Sequence, residues 1–177
     1  AGDAAALPAP ALEGAVLFFG DAGCADCHSG LHLSDFSYRN LGVPQVGLGQ
    51  EDEEPMDYGR GRETNVPAER YAFRTPALRN VALTGPWMHD GAYTSLEAAV
   101  RHHADCEGSL RGYDVRQLKP ELQSLFRGSP TVLLRMLSTL DPWCATPRRL
   151  GDDDVARLVA FLHTLTSPTA LTRDVAP

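Results

Sequence analysis

The chain has 177 residues, an ordinary hydrophobic content of 43 % and a formal charge of −7. That length suits one domain with its own core, while the negative charge argues against nucleic acid and anionic membrane surfaces and mildly favours a basic partner. No apolar run reaches membrane-spanning length; the greasiest, Ala15-Val-Leu-Phe-Phe19, is far too short.

Residues 1–10 are rich in Ala and Pro and read as a flexible segment: a mature N-terminus or a linker, with no signal peptide. Residues 11–177 then form a single domain. A first helix is expected from near Ala11, through Glu13, Val16, Leu17 and Phe19, to a stop at Gly20. The stretch Gly23-Cys-Ala-Asp-Cys-His-Ser29 follows directly. From Asn40 to Glu69 the chain is dense in Gly, Pro and acid, including "EDEEPMD" at 51–57, and reads as a long loop with little regular structure. Wrapping a large cofactor would explain so long a loop inside one domain. The acidic run itself is expected to be a solvated loop.

A second helix is signalled by the capping box Thr94-Ser-Leu-Glu97, with Leu96, Ala99, Val100 and His103 on one face. A short helix is expected in Pro120–Phe126. Ser129 and Pro130 open another, with Val132, Leu133, Met136, Leu137 and Leu140 on one side. The last begins at Asp152-Asp-Asp154 and carries Val155, Leu158, Val159, Leu162 and Leu165. No alternating strand pattern of useful length and no repeat is present. The class is all-α, with long loops.

The CxxCH stretch carries the chemistry. Two thiols three residues apart, Cys24 and Cys27, project the same way from one helical turn and match the two vinyl groups of a porphyrin edge. His28 then swings beneath the ring to bind iron, the pattern of covalent c-type haem. Zinc would want a second compact ligand pair, which Cys106 and Cys144 are not; a thioredoxin-like motif would want a βαβ surround. Cys106 and Cys144 would suit a disulfide in an oxidising compartment, with two free buried thiols as the alternative.

An iron so bound has a second axial position. The candidates are Met56, Met88, His32, His89, His102, His103, Met136 and His163. His32 is too close to the attachment site, His163 reads as a surface residue and Met136 as core. Met88 sits on a loop that imitates the methionine loop of small cytochromes. Helical phase favours His103 over its neighbour, because His102 is rotated about 100° from the face of Leu96 and Ala99. Trp87 and Trp143 are expected to be core residues, with a place near the haem, assisting electron passage, as the alternative.

The stretch "FRTPALRNVALTGPWMHDGAYTSLEAAV" at 73–100 resembles the C-terminal domain of bacterial dihaem cytochrome c peroxidases and their MauG-type relatives. "GCADCHSG", "FSYRNLGVPQ", "DYGRGRET" and the terminal "DDDVARLVAFLHTLT" extend the resemblance from Ala11 to Thr166. It implies a cytochrome c-like helical domain around one electron-transfer haem. In that family the distal ligand, a methionine or a tyrosine, lies fourteen residues after the histidine of "HDG". The register from His89 lands on His103. The resemblance also implies a calcium ion held partly by backbone oxygens matching Thr84 and Pro86. The family's other haem domain, with its second CxxCH, is missing from this chain. Arg79 in "LRN" is a candidate partner for a haem propionate, or an ordinary surface ion pair.

Three functions fit these residues. The first is a single-haem electron carrier of the periplasm or another exported compartment, serving a redox partner protein. The second is a peroxidase or MauG-type oxidase, or half of one. The third is a sensor in which a small ligand displaces His103. A filled sixth position favours the first.

Overall fold

Two helices near the ends of the sequence hold the main core. The computed structural model of the chain describes residues 6–47 and 56–171, so most of the acidic run 51–57 lies outside the described residues. Helix α1 (Ala9–Phe19) starts two residues before the predicted Ala11, because Pro10 falls in the first turn, where a missing N–H costs nothing. Of the segment 1–10, residues 1–5 are outside the described part, and Ala9 and Pro10 are already helical. Helix α7, which is Asp152–Thr164, opens with three acids at its positive end, as predicted.

The face by which α1 meets α7 is not its greasiest. Ala11, Gly14 and Phe18 are buried, whereas Val16 is 68 % and Phe19 58 % exposed. The cause is Gly14, where a Cβ would sit 1.9 Å from the Arg157 carbonyl oxygen. Only glycine lets the two backbones approach so closely, and that contact fixes the rotation of α1. Phe18 then packs on Phe161, ring centroids 5.1 Å apart, within a core that includes Ala22, Leu78, Val81, Leu96, Leu158 and Leu162.

Between these helices lie α2 (Arg60–Thr64), α3 (Leu96–Ala104), α4 (Cys106–Arg111), α5 (Pro120–Gln123) and α6 (Pro130–Leu137); α8 (Pro168–Leu171) follows α7. The fold is all-α, as expected. One two-residue antiparallel pair, Tyr38–Arg39 with Phe73–Arg74, pins the loop after His28 to the 73–80 segment. The 40–69 stretch is less bare than predicted, since α2 and a 3-10 turn at Pro67–Glu69 interrupt it. The α3 cap is displaced by one residue: Ser95 accepts from the Ala98 N–H, while the Thr94 hydroxyl donates to the Gln117 carbonyl. Ser129 caps α6 as predicted, and Met136 and Met56 are buried with Tyr71 and Leu110 in a separate cluster. Among the described residues no helix is long and apolar enough to cross a membrane.

Replacing Gly14 with Ala should force α1 away from α7 and cost about 3 kcal/mol or more. Chemical denaturation measures this, and a midpoint equal to that of the parent protein would contradict the packing described.

Candidate metal centre

The turn that carries the attachment cysteines is short and self-bonded. Gly23 takes a left-handed φ of 65°, Cys24–Asp26 form one 3-10 turn, and the His28 N–H bonds the Cys24 carbonyl at 2.9 Å. Cys24 and Cys27 are free, with Cys27 buried. Burial pushes the Cys24 thiol up to about 11 and the Cys27 thiol upward too, against the opposing pull of Arg39. Such thiols are protonated at neutral pH, the reverse of the reactive thiolate a redox pair needs. Among the described residues no group of three or more Cys, His, Asp or Glu gathers as a metal site.

The chain beyond His28 folds back to hold its ring. The His28 Nδ1 donates to the Leu33 carbonyl at 2.9 Å. The Leu33 loop is tied in turn by the Ser34 hydroxyl to the Thr75 carbonyl and by the Leu78 N–H to the His32 carbonyl. "FRTPAL" therefore acts as the floor of the His28 loop. The other imidazole comes from α3. His103 Nδ1 donates to the Ala99 carbonyl, one turn back on its own helix, at 2.8 Å.

The two rings face one another in spacing if not in plane: their centroids are 6.5 Å apart and their planes inclined at 57°. With Nδ1 committed as a donor, Nε2 of each ring keeps its lone pair, the state a metal requires. Two imidazoles bound trans to one metal, at about 2 Å per bond, hold their centroids roughly 6 Å apart. The donor set and its spacing fit an iron with two axial histidines. Burial lowers the His28 pKa to about 4, aided by the nearby His103, and lowers that of His103 as well. Both rings are neutral at pH 7.

His102 corrects one sequence expectation. It was placed off the buried face, yet it is 0 % exposed. Its Nδ1 meets the Tyr93 hydroxyl at 2.9 Å and its Nε2 the Leu41 carbonyl at 2.9 Å; the same hydroxyl meets Ser109 at 2.8 Å. Helix α3 is covered on more than one side, so the phase argument that turned His103 inward could not turn His102 out. The bonded core histidine is His102; His103 is the one whose lone pair remains.

Met56 and Met136 belong to a separate core cluster, His32 and His163 are exposed, and Met88 packs against the cluster of Val43, Ala92, Tyr93 and Ala99. His89 stacks on Phe73 at 3.4 Å, with Asp57 and Asp90 at 3.8 and 4.0 Å. Arg79, Thr84 and Pro86 are all exposed, the last two on the turn containing the cis Gly85-Pro86 bond. Cys106 and Cys144 are joined as a disulfide across 38 residues, Cα atoms 5.7 Å apart.

Two residues at the site, Arg39 and Arg148, escaped the sequence reading. Arg39 donates from Nε to Cys27 Sγ at 2.9 Å and pairs with Asp35 at 2.6 Å and Asp141 at 3.7 Å. Trp143, expected in the core, is half-buried and donates its indole N–H to Asp26 at 3.0 Å. Arg148 lies over the Trp143 ring at 3.8 Å. A polar cleft lined by Tyr38, Arg39, Arg60, Glu69, Thr139 and Asp141 opens beside Arg39, not between the histidines.

The helical fold is similar to that of solved MauG-like and dihaem peroxidase structures. A MauG-like protein associated with microbial copper homeostasis superposes with a TM-score of 0.70 at 24 % identity, over 96 % of this chain and 50 % of that one. The dihaem peroxidase BthA of Burkholderia thailandensis gives 0.56 at 24 % identity, over 93 % of this chain and 44 % of the other. In sequence, MauG of Methylorubrum extorquens is 34 % identical over 99 % of this chain and 40 % of its own length. The cytochrome c551 peroxidase of Nitrosomonas europaea is 41 % identical over 56 % of this chain and 28 % of its own. No family model matches. The chain belongs with the bacterial cytochrome c peroxidases and MauG proteins as a partial-length homologue, spanning less than half of these two relatives.

A pH dependence follows from the His89 pair. Burial holds the His89 pKa near 4, against 6.5 for the free side chain. The unfolded chain then binds the extra proton between those values, so stability falls as pH drops from about 6.5 towards 4. Asp90 acts oppositely: burial raises its carboxyl from 3.8 to about 6, so its contribution is full below 3.8 and is lost as pH rises through 6. His89→Gln should flatten the acid limb of a stability–pH profile, and Asp90→Asn should lift stability near pH 7. An acid limb unchanged in His89→Gln would contradict this assignment.

Proposed function

We propose that this chain is a single-haem electron-transfer domain, with Cys24 and Cys27 as the covalent attachment points and His28 and His103 as the two axial ligands. The observation that carries the reading is the 6.5 Å spacing of two imidazoles whose Nδ1 atoms are both tied to backbone carbonyls. Haem supplies a one-electron couple when bound. The chain's own residues do the rest. The CxxC turn would fix the attachment edge, the Leu33 and Ala99 carbonyls orient the two rings, and the two imidazoles would hold the iron. An iron so held would have no site left for peroxide or oxygen, which separates relay from activation. Imidazole donates more strongly than a thioether, so the potential should lie below that of a methionine-ligated relative.

The compartment proposed is the periplasm or another exported one, where a disulfide such as Cys106–Cys144 persists. The partner proposed is a redox protein, for which a net charge of −7 favours a basic docking face. Arg79 is the proposed partner of a propionate, and calcium at the Thr84 and Pro86 oxygens is proposed on the resemblance alone. A second reading is a peroxidase or MauG-type oxidase. The relatives' names favour it, and it would need His103 to leave or a further haem domain to cooperate.

Acid–acetone extraction of the denatured protein should leave the colour on the polypeptide. His103→Ala should open the iron, giving high-spin character and cyanide binding. His102→Ala should lose stability, by about 2 kcal/mol or more, through the unpaired Leu41 carbonyl and the cavity left in the core, but keep the low-spin spectrum. A spectrum unchanged in His103→Ala would contradict the ligand assignment.

A further inference from the structure

We propose that the segment 141–148 is a strap that sets the separation of His28 and His103, with Trp143 and Arg148 as its positioning residues. The proposal rests on the axial-ligand reading above and adds to it the part of the chain that holds the two ligands in register.

The strap grips the proximal turn at two points. Trp143 donates its indole N–H to Asp26 at 3.0 Å, and Asp26 sits between the two attachment cysteines. Asp141 pairs with Arg39 at 3.7 Å, and Arg39 donates to Cys27 Sγ at 2.9 Å. The same segment grips the distal helix at two other points. The Arg148 N–H bonds the carbonyl of Ala104, the residue after His103, at 2.7 Å. Cys144 is bonded to Cys106, three residues after His103, at the start of α4.

The strap is stiffened internally. Asp141 caps the 3-10 turn Pro142–Ala145 by accepting from the Trp143 N–H at 2.8 Å. The Arg148 guanidinium lies 3.8 Å over the Trp143 ring and donates from Nη1 to the Trp143 and Thr146 carbonyls, each at 2.8 Å. The side chain that covers the indole thus belongs to the residue whose backbone holds Ala104. A pull on the distal helix is transmitted through Arg148 to Trp143, and from Trp143 to Asp26. Gly23 adds to the fit, since a Cβ there would lie 3.2 Å from both Arg148 Nη2 and Asp26 Oδ2.

An axial bond made by the chain itself is only as persistent as the elements that present it. If the proximal turn and α3 drift apart, the fraction of molecules with His103 in place falls, and an external ligand competes in proportion to that loss. The Asp26–Trp143 bond is the place to test this, because it joins two polar groups at the surface and neither residue belongs to the core that joins α1 to α7. Trp143→Phe removes the N–H yet keeps a ring for Arg148 to cover. Asp26→Ala removes the acceptor, whereas Asp26→Asn keeps an oxygen that can accept.

The experiment compares the holoprotein with these variants in two readouts: cyanide affinity of the ferric form, and hydrogen exchange of the 96–106 amides. Trp143→Phe and Asp26→Ala should each tighten cyanide binding by about fivefold or more, the worth of one charge-assisted hydrogen bond. Their combination should do no more than either alone, Asp26→Asn should behave as the parent, and exchange in 96–106 should quicken in the same variants. Unchanged cyanide affinity with unchanged exchange overturns the strap, as does quickened exchange spread over all helices alike. The exchange readout stands whether or not His103 binds iron. Exchange confined to 96–106 therefore keeps the strap even where the unmodified protein's spectrum rejects two axial histidines.

Discussion

The structure depends on one arrangement: two imidazoles from distant parts of the chain lie 6.5 Å apart, each with its Nδ1 tied to a backbone carbonyl. The acceptor is Leu33 for His28 and Ala99 for His103. A carbonyl is a fixed acceptor with no titration of its own, so tautomer and ring orientation are set together. Burial reinforces the arrangement by pushing the His28 pKa down to about 4. A proton on either ring would take away a lone pair, and the environment makes that proton costly.

The rest of the fold supplies the distance between the rings. The α1–α7 contact through Gly14 and Phe18–Phe161 seats the CxxCH turn on the core, since Ala22 and Phe18 belong to the same cluster as Leu96 on α3. Pairing of Tyr38–Arg39 with Phe73–Arg74 carries the floor of the His28 loop. The disulfide holds the far end of α3, adding about 3–4 kcal/mol by the chain-entropy account for a loop of 38 residues. Each device removes one way in which the two histidines could separate.

Much of this was legible in the sequence, and the failures share a cause. CxxCH is a local motif whose spacing is its chemistry, so Cys24, Cys27 and His28 were readable without tertiary information. Helical phase and the resemblance both singled out His103, and its ring lies 6.5 Å from that of His28. His102 was misread because phase assumes a helix lying on one surface, whereas α3 packs against α7 and also meets the Leu41 carbonyl and the Tyr93 hydroxyl through His102. The exposed Val16 and Phe19 escaped for a related reason: a glycine contact chose the α1 face, and hydrophobicity did not. Arg39, Asp26 and Trp143 carry no periodic or spacing signal at all. Their partners lie up to 117 residues away, and only the folded chain brings them together.

The account turns on whether the sixth ligand is a nitrogen of this chain. Near-infrared magnetic circular dichroism of the ferric protein tests it most directly, because the porphyrin-to-iron charge-transfer energy reports the axial pair. Two imidazoles should place that band where nitrogen–nitrogen ligation does, with no sulfur–iron band. A sulfur–iron charge-transfer band would contradict the account and make Met88 the ligand, and a high-spin ferric spectrum would leave the iron open to substrate.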